Sequence, residues 1–284
     1  KDKWPRIGLY SAPIDISREF KEKVSDGLDT IVYVSATLSV NGNFDFFKQR
    51  LGIVDAYECL LDSPFNFKEK VSLYLPKKIA DPKTDELNFK KDILREIRDL
   101  VELMNGNTFV LFTSFKLMNE IADELIQDQA RFNIFKQGDF PRYKLIEEFK
   151  KNRNSVLLGT TTFWQGIDIP GDALQCVIIT KLPFAVPDDP VIEARMEKME
   201  DDGRNPFMNY QIPQAVTLLR QGFGRLIRTK NDKGVVAILD PRVKTKFYGK
   251  YFLKALPECR VVNDIAGLVV VGTQHAASLR SKNI

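Results

Sequence analysis

The chain has 284 residues, 44% of them hydrophobic and 28% charged, with a formal net charge of +4. That length can bury a substantial core in one large domain or two modest ones, and the balance is that of an ordinary soluble globular protein. No apolar run approaches the roughly 20 residues of a membrane span. Cys59, Cys176 and Cys259 lie far apart with no CxxC pair, which argues against a disulfide framework or a zinc site.

A reducing, intracellular setting is therefore expected. The single histidine, His275, makes Ser-His-Asp or Cys-His chemistry an unpromising reading. The chain opens at Lys1 and shows no basic-then-apolar leader, so a fragment or processed product is expected.

In chain order, "SREFKEKVSDG" (17–27) predicts a helix with Ser17 as its cap and Gly27 past its end. "TIVYVSAT" (30–37) predicts a buried strand. So do "TFVLFTSF" (108–115), "RFNIF" (131–135), "SVLLGT" (155–160), "LQCVIIT" (174–180) and "GVVAILD" (234–240). The last-but-one of these makes Cys176 a core thiol. The spacing of Ile93, Leu94, Ile97, Leu100, Val101 and Met104 predicts a helix over 86–104, stopped by "NGN" at 105–107. Further helices are predicted at 114–127, 141–152 and 190–200. Strands alternating with helices predict an α/β fold, a mostly parallel sheet with helices on both faces.

In such sheets ligands bind beyond the carboxyl ends of the strands. "FTSF" (112–115) and "GTTTFWQGIDIPG" (159–171) follow strands, and "QGFGRLIR" (221–228) is expected at the same edge. Threonine hydroxyls and glycine amides in the second stretch can approach a phosphate backbone. Asp168 could accept a bond from a ribose or position a water. A plain long loop turning at Pro170-Gly171 fits the same residues. In "QGFGRLIR", spacings of four and three put Gln221, Arg225 and Arg228 on one helix face, where the two arginines could clamp a phosphate or a carboxylate. Solvated arginines, or ion pairs with the acidic stretch at 188–202, fit that pattern too. Arg220 to Lys246 carries eight Lys or Arg against two Asp.

No GxxxxGK[ST] is present, so a P-loop is missing from this chain. The acids of "DEL" at Asp85 and Asp123, of "PDDP" (187–190) and of "EDDG" (200–203) flank or lie in helices. They read as helix charges, loop acids or caps, and no metal site is expected.

Together, "SATL" (35–38), "FVLFTSF" (109–115), "GTTTFWQGIDIPG" and "QGFGRLIR" resemble the late motifs of superfamily-two helicases. "SAPIDI" (11–16), "LPFAVPDDP" (182–190) and "GVVAILDPR" (234–242) resemble the DinG branch of the XPD-like helicases. The resemblance runs from about residue 9 to residue 260 and implies a RecA-like second motor domain. Residues 1–75 would be a coupling segment and the start of that domain, with Ser35 and Thr37 coupling hydrolysis to DNA. Residues 76–261 would be the motor domain and 262–284 a tail.

Arg225 and Arg228 would act as arginine fingers on the γ-phosphate of ATP, with Gln221, Gly224, Gly166 and Asp168 on the nucleotide side. Ser114, Thr160, Thr161 and Thr162 would touch single-stranded DNA. ATP and magnesium would be held mainly by a first motor domain that this chain lacks. Partners would be that domain and single-stranded DNA, not a membrane, in the cytoplasm. The chain alone would hydrolyse no ATP. The alternative implied is a DNA- and nucleotide-binding accessory domain of a DinG-type 3'-5' exonuclease with a weak or lost motor.

Overall fold

Seven short strands carry the architecture: β1 (Val71–Tyr74), β2 (Thr108–Leu111), β3 (Asn133–Lys136), β4 (Ser155–Gly159), β5 (Cys176–Ile179), β6 (Gly234–Ile238) and β7 (Arg260–Val262). They form one sheet in the order β3-β4-β2-β5-β6-β1-β7. Every pairing is parallel, as in the register Thr108 to Val156 on one side of β2 and Thr108 to Cys176 on the other. The computed structural model describes residues 8, 11–128, 131–160, 163, 169, 173–185, 189–229 and 232–268.

β2, β4 and β5 are buried along their whole length, which is why they read as continuous apolar runs. Val110, Phe112, Val156, Leu158, Cys176 and Ile178 share one core cluster with Ile93, Ile97, Met118 and Ile121. The strand residues of opposite parity, Phe109, Leu111, Leu157 and Val177, are equally buried. The parallel sheet and its five predicted strands thus hold, and Cys176 is a core thiol whose pKa burial pushes far up. β1 and β7 escaped the sequence reading. They are only four and three residues long, too short for a clear pattern, and Val261 of β7 is 55% exposed at the sheet edge.

The other expected elements hold with two exceptions, one helix and one strand. α4 (Glu86–Leu103) begins on Asp85, whose carboxylate accepts the Asn88 N–H at 3.3 Å. It ends where Asn105, Gly106 and Asn107 all take positive φ. A Cβ on Gly106 would lie 2.3 Å from the Asn154 carbonyl carbon, so glycine is required twice over. α5 (Phe115–Asp128), α6 (Arg142–Lys151) and α7 (Pro190–Asp201) lie where periodicity put them. Asp189 caps α7 by accepting the N–H groups of Val191 and Ile192, as a capping acid should.

The first exception is 17–27. α1 (Ser17–Phe20) runs into a π-helical turn at Lys21–Ser25, and Ser17 is not its cap. Asp15 instead accepts the Ser17 N–H at 2.8 Å. The second is 30–37, expected as a buried strand. It forms no strand here, and Val32 and Val34 are 78% and 87% exposed. A strand needs a neighbour for its N–H and C=O groups, and this segment pairs with none among the described residues. Further helices are α2 (Asp45–Leu51), α3 (Phe67–Lys70), α8 (Ile212–Phe223), α9 (Arg242–Thr245) and α10 (Gly249–Ala255).

The chain divides into two compact units. One comprises residues 1–60 and 185–214; the other comprises 61–184 and 215–284 and contains the whole sheet. In the first unit, Tyr33 lies between Phe20 and Phe47, with ring centroids 6.4 and 5.3 Å away.

Candidate functional site

The "QGFGRLIR" stretch does not continue as a helix. α8 stops at Phe223, and Gly224, Arg225 and Leu226 close turns onto Arg220, Gly222 and Phe223 through backbone bonds of 2.9, 3.2 and 3.3 Å. Gln221, Arg225 and Arg228 therefore do not share one helical face, contrary to the expectation. Extending the helix through Gly224 would cost about 1 kcal/mol relative to alanine. The N–H groups that would continue it are captured elsewhere. Asp232 Oδ2 accepts the N–H of Arg228 at 2.7 Å and of Thr229 at 2.8 Å, while Oδ1 accepts the Thr229 hydroxyl at 2.6 Å.

Asp232 is 8% exposed. Burial by itself would raise its pKa, but these three hydrogen bonds outweigh burial and hold the carboxyl below its ordinary value. The result is a rigid turn that buries Phe223, Leu226 and Ile227 and leaves Arg225 and Arg228 half-buried. Gln221 points its Oε1 into a buried position with no hydrogen-bond partner among the described residues. Gly224 is exposed.

This loop lies at the amino ends of the strands. It feeds directly into β6, and a Cβ on Gly234 would meet Leu226 Cδ1 at 2.8 Å and the Gln175 carbonyl oxygen at 2.1 Å. Phe67, just ahead of β1, packs its ring 5.8 Å from that of Phe223. Ser114 and Thr160 sit at the opposite, carboxyl edge, so the single edge expected for all three motifs is corrected to two. The reason is topological. β5 and β6 are parallel neighbours, so the chain must return to the amino ends before β6 begins, and the loop after α8 makes that entry.

At the carboxyl edge, Ser114 follows β2 and caps α5, its Oγ accepting the Leu117 N–H at 3.3 Å. Thr160 follows β4 and is 4% exposed. Its N–H and hydroxyl both donate to Gln137 Oε1, at 2.7 and 3.0 Å. β3, β4 and β2 are neighbours, so Gln137, Thr160 and Ser114 come from adjacent strand ends. Thr161, Thr162, Gly166 and Asp168 lie outside the described residues.

At the same edge Asp240, 1% exposed, holds the two stretches "LPF" and "DPR" together. Its Oδ2 accepts the Leu182 N–H at 2.8 Å and pairs with Arg242 Nη2 at 2.6 Å. Burial works against the Arg242 charge, but the bonds to Asp240 prevail and its pKa is raised.

In the other unit, Ser35 Oγ lies 3.2 Å from Thr37 Oγ1 and accepts the Thr37 N–H at 3.1 Å. The two residues form a small hydroxyl turn. Among the described residues, no group of three or more His, Cys, Asp or Glu is arranged to hold a metal ion. Sequence reasoning missed Asp232 and Gln137. Asp232 was discoverable in principle, because "RTKND" is a turn sequence in which Asp folds back onto preceding N–H groups. Gln137 carries no such signal, since its partner Thr160 is 23 residues away.

Residues 97–259 match the helicase C-terminal domain family. The chain is 40% identical over 260 residues to the ATP-dependent DNA helicase YoaA of Haemophilus influenzae, covering 92% of this chain and 40% of that protein. It is 35% identical over 263 residues to the 3'-5' exonuclease DinG of Bacillus subtilis, covering 90% of this chain and 28% of that protein. The chain thus spans well under half the length of these relatives. A solved XPD helicase superposes with a TM-score of 0.66 at 18% identity, over 88% of this chain and 45% of that one. That likeness establishes a RecA-like helicase fold for the parallel sheet.

Proposed function

This chain belongs to the helicase C-terminal domain family, and on that premise we propose that it is the second motor half of a DinG-like, ATP-dependent DNA helicase. Residues 1–75 serve as the coupling segment and supply the first strand, 76–261 form the motor domain, and 262–284 are a tail. Arg225 and Arg228 are its arginine fingers, directed at a nucleotide held with magnesium mainly by a first motor domain. ATP supplies the phosphoryl group whose hydrolysis drives the motor. This chain's share is electrostatic: two cations on a turn that needs no reorganisation when charge develops on the phosphate.

The observation that carries the reading is Asp232 pinning the backbone of Arg228. A solvated surface arginine needs no buried carboxylate to fix its main chain. The buried, unsatisfied Oε1 of Gln221 fits the same reading, because it suits a donor such as a nucleotide-bound water. Gly224, Gly166 and Asp168 complete the nucleotide side. Ser114, Thr160, Thr161 and Thr162 serve the strand of DNA, with Thr160 shaping its loop through Gln137 rather than offering a free hydroxyl. Ser35 and Thr37 couple the two activities. The setting is cytoplasmic; among the described residues no helix is long and apolar enough to cross a membrane.

The test is ATP turnover by the intact protein, with and without single-stranded DNA, beside an Arg225→Ala, Arg228→Ala double variant. DNA length is followed in the same reaction. DNA-stimulated turnover that collapses in the variant supports the motor. The similarity to an exonuclease named DinG favours one second reading, an accessory domain serving a nuclease. DNA shortening without turnover would select it.

A further inference from the structure

The unit formed by residues 1–60 and 185–214 carries a cavity of about 90 Å³, several times what one ordered water needs. None of the residues lining it is among the individual side chains assigned to nucleotide, DNA or coupling, although Ile14 to Ile16 and Phe46 to Arg50 fall within the proposed coupling segment. Arg50, Arg195, Lys198 and Arg204 line it, against a single lining carboxylate, Asp15. Three separate stretches converge there: the turn before α1, the end of α2, and α7 with the loop beyond it.

The cations are held in place before any ligand arrives. Arg195 donates through Nε to the Ile14 carbonyl at 2.9 Å and through Nη1 to the Tyr210 hydroxyl at 2.8 Å. Those bonds engage two of the five N–H groups of a guanidinium. Arg50 and Arg195 both lie over the Tyr210 ring, 5.6 and 5.3 Å from its centroid. Tyr210 itself is only 3% exposed, so the ring is a fixed platform for two positive charges. Arg204 and Lys198 reach Asp202 at 2.8 and 3.4 Å on the rim. Even with Asp202 counted beside Asp15, cations outnumber carboxylates by two. Asp15 is held ionised first by its bond from the Ser17 N–H, and further by Arg195 and Arg204, so the site's own charge balance is settled.

Guanidiniums that line one cavity repel one another unless an anion joins them. Their planar forks match the oxygens of carboxylate and phosphate, and a surplus of two cations suits the more highly charged phosphate. We propose that this cavity is a phosphate-binding site, taking either a phosphodiester of a nucleic-acid strand or a free phosphate or diphosphate group. The nucleotide and DNA contacts of the motor reading lie on the sheet unit, so this site holds whether or not that reading does.

The test uses the intact protein and its Arg50→Ala and Arg204→Ala variants. Arg204 is half-exposed and its removal leaves the fold intact; thermal unfolding checks both. Two probes are titrated: inorganic pyrophosphate, and a short labelled oligothymidylate at several salt concentrations. Saturable pyrophosphate binding is expected, weakened about tenfold or more in each variant, the loss of one charge-assisted hydrogen bond. If the ligand is a strand, oligonucleotide affinity falls as well, and its salt slope shrinks by about 0.7 for each phosphate no longer neutralised. If oligonucleotide binding is unchanged while pyrophosphate binding is lost, the ligand is a free phosphate. Pyrophosphate binding that is absent, or equal in wild type and both variants, overturns the site. A protein that binds no oligonucleotide at all contradicts the DNA reading above but leaves the pyrophosphate result decisive.

Discussion

The Asp232 carboxylate accepts the backbone N–H of Arg228 at 2.7 Å, so an acid four residues downstream fixes the main chain of a basic motif residue. Asp232→Ala is expected to cost about 1–3 kcal/mol of stability, because the N–H groups of Arg228 and Thr229 lose a buried acceptor. In the intact protein it is also expected to lower DNA-stimulated ATP turnover through kcat, with DNA affinity preserved. Urea unfolding and steady-state kinetics check the two effects. Unchanged kcat would show that the turn does not set the arginines.

The pH dependence follows from the same carboxylate. Its folded pKa lies below the ordinary value of 3.8, so it contributes stability that is present above that value and lost as pH falls through the folded pKa. The stability difference between wild type and Asp232→Asn should therefore be full at neutral pH and shrink below about pH 4. Parallel unfolding curves from pH 7 to pH 3 would show this. A difference that stays constant would deny the shift.

Arg225→Ala and Arg228→Ala are expected to reduce ATP turnover by the intact protein about a thousandfold or more if they act as fingers, with oligonucleotide binding changed little. The 284-residue chain by itself is expected to hydrolyse no ATP, because it carries no P-loop. Turnover by the purified chain, checked with a coupled phosphate assay, would contradict the division of labour between the two motor halves.

Arg242→Ala removes the partner of a carboxylate that is 1% exposed. Breaking a buried pair in this way costs about 3–5 kcal/mol. A fall in Tm with the Arg242→Lys variant in between is expected, since lysine restores the charge but not the fork. Equal Tm values for all three proteins would mean that Asp240 is sustained by the Leu182 N–H.

Gly106→Ala is expected to cost about 2 kcal/mol or more. Its φ is +81°, and the added Cβ would press on the backbone of Asn154 rather than on a flexible side chain. Thermal unfolding checks this, with Gly138→Ala as a comparison that shares the positive φ, +109°, but meets nothing within 4 Å, so the difference isolates the clash with Asn154.

Much of this protein was determined by its sequence. Val, Ile and Phe runs marked β2 to β6, the 3.6-residue period marked α4, and "NGN" marked its end, because each signal is local, and full burial makes β2, β4 and β5 the plainest of them. The tertiary structure decided what depends on neighbours. "TIVYVSAT" has the composition of a strand but pairs with none among the described residues. "QGFGRLIR" has the spacing of a helix face, yet Gly224 and the carboxylate of Asp232, four residues past Arg228, turn it into a loop. Ser114 and Arg228 lie at opposite ends of the sheet, which follows from the parallel order of β2, β5 and β6 and from no residue by itself. Gln137 on Thr160, and Arg50 with Arg195 over Tyr210, join residues far apart in the chain. Such contacts have no period and no motif, so only folding brings them into existence.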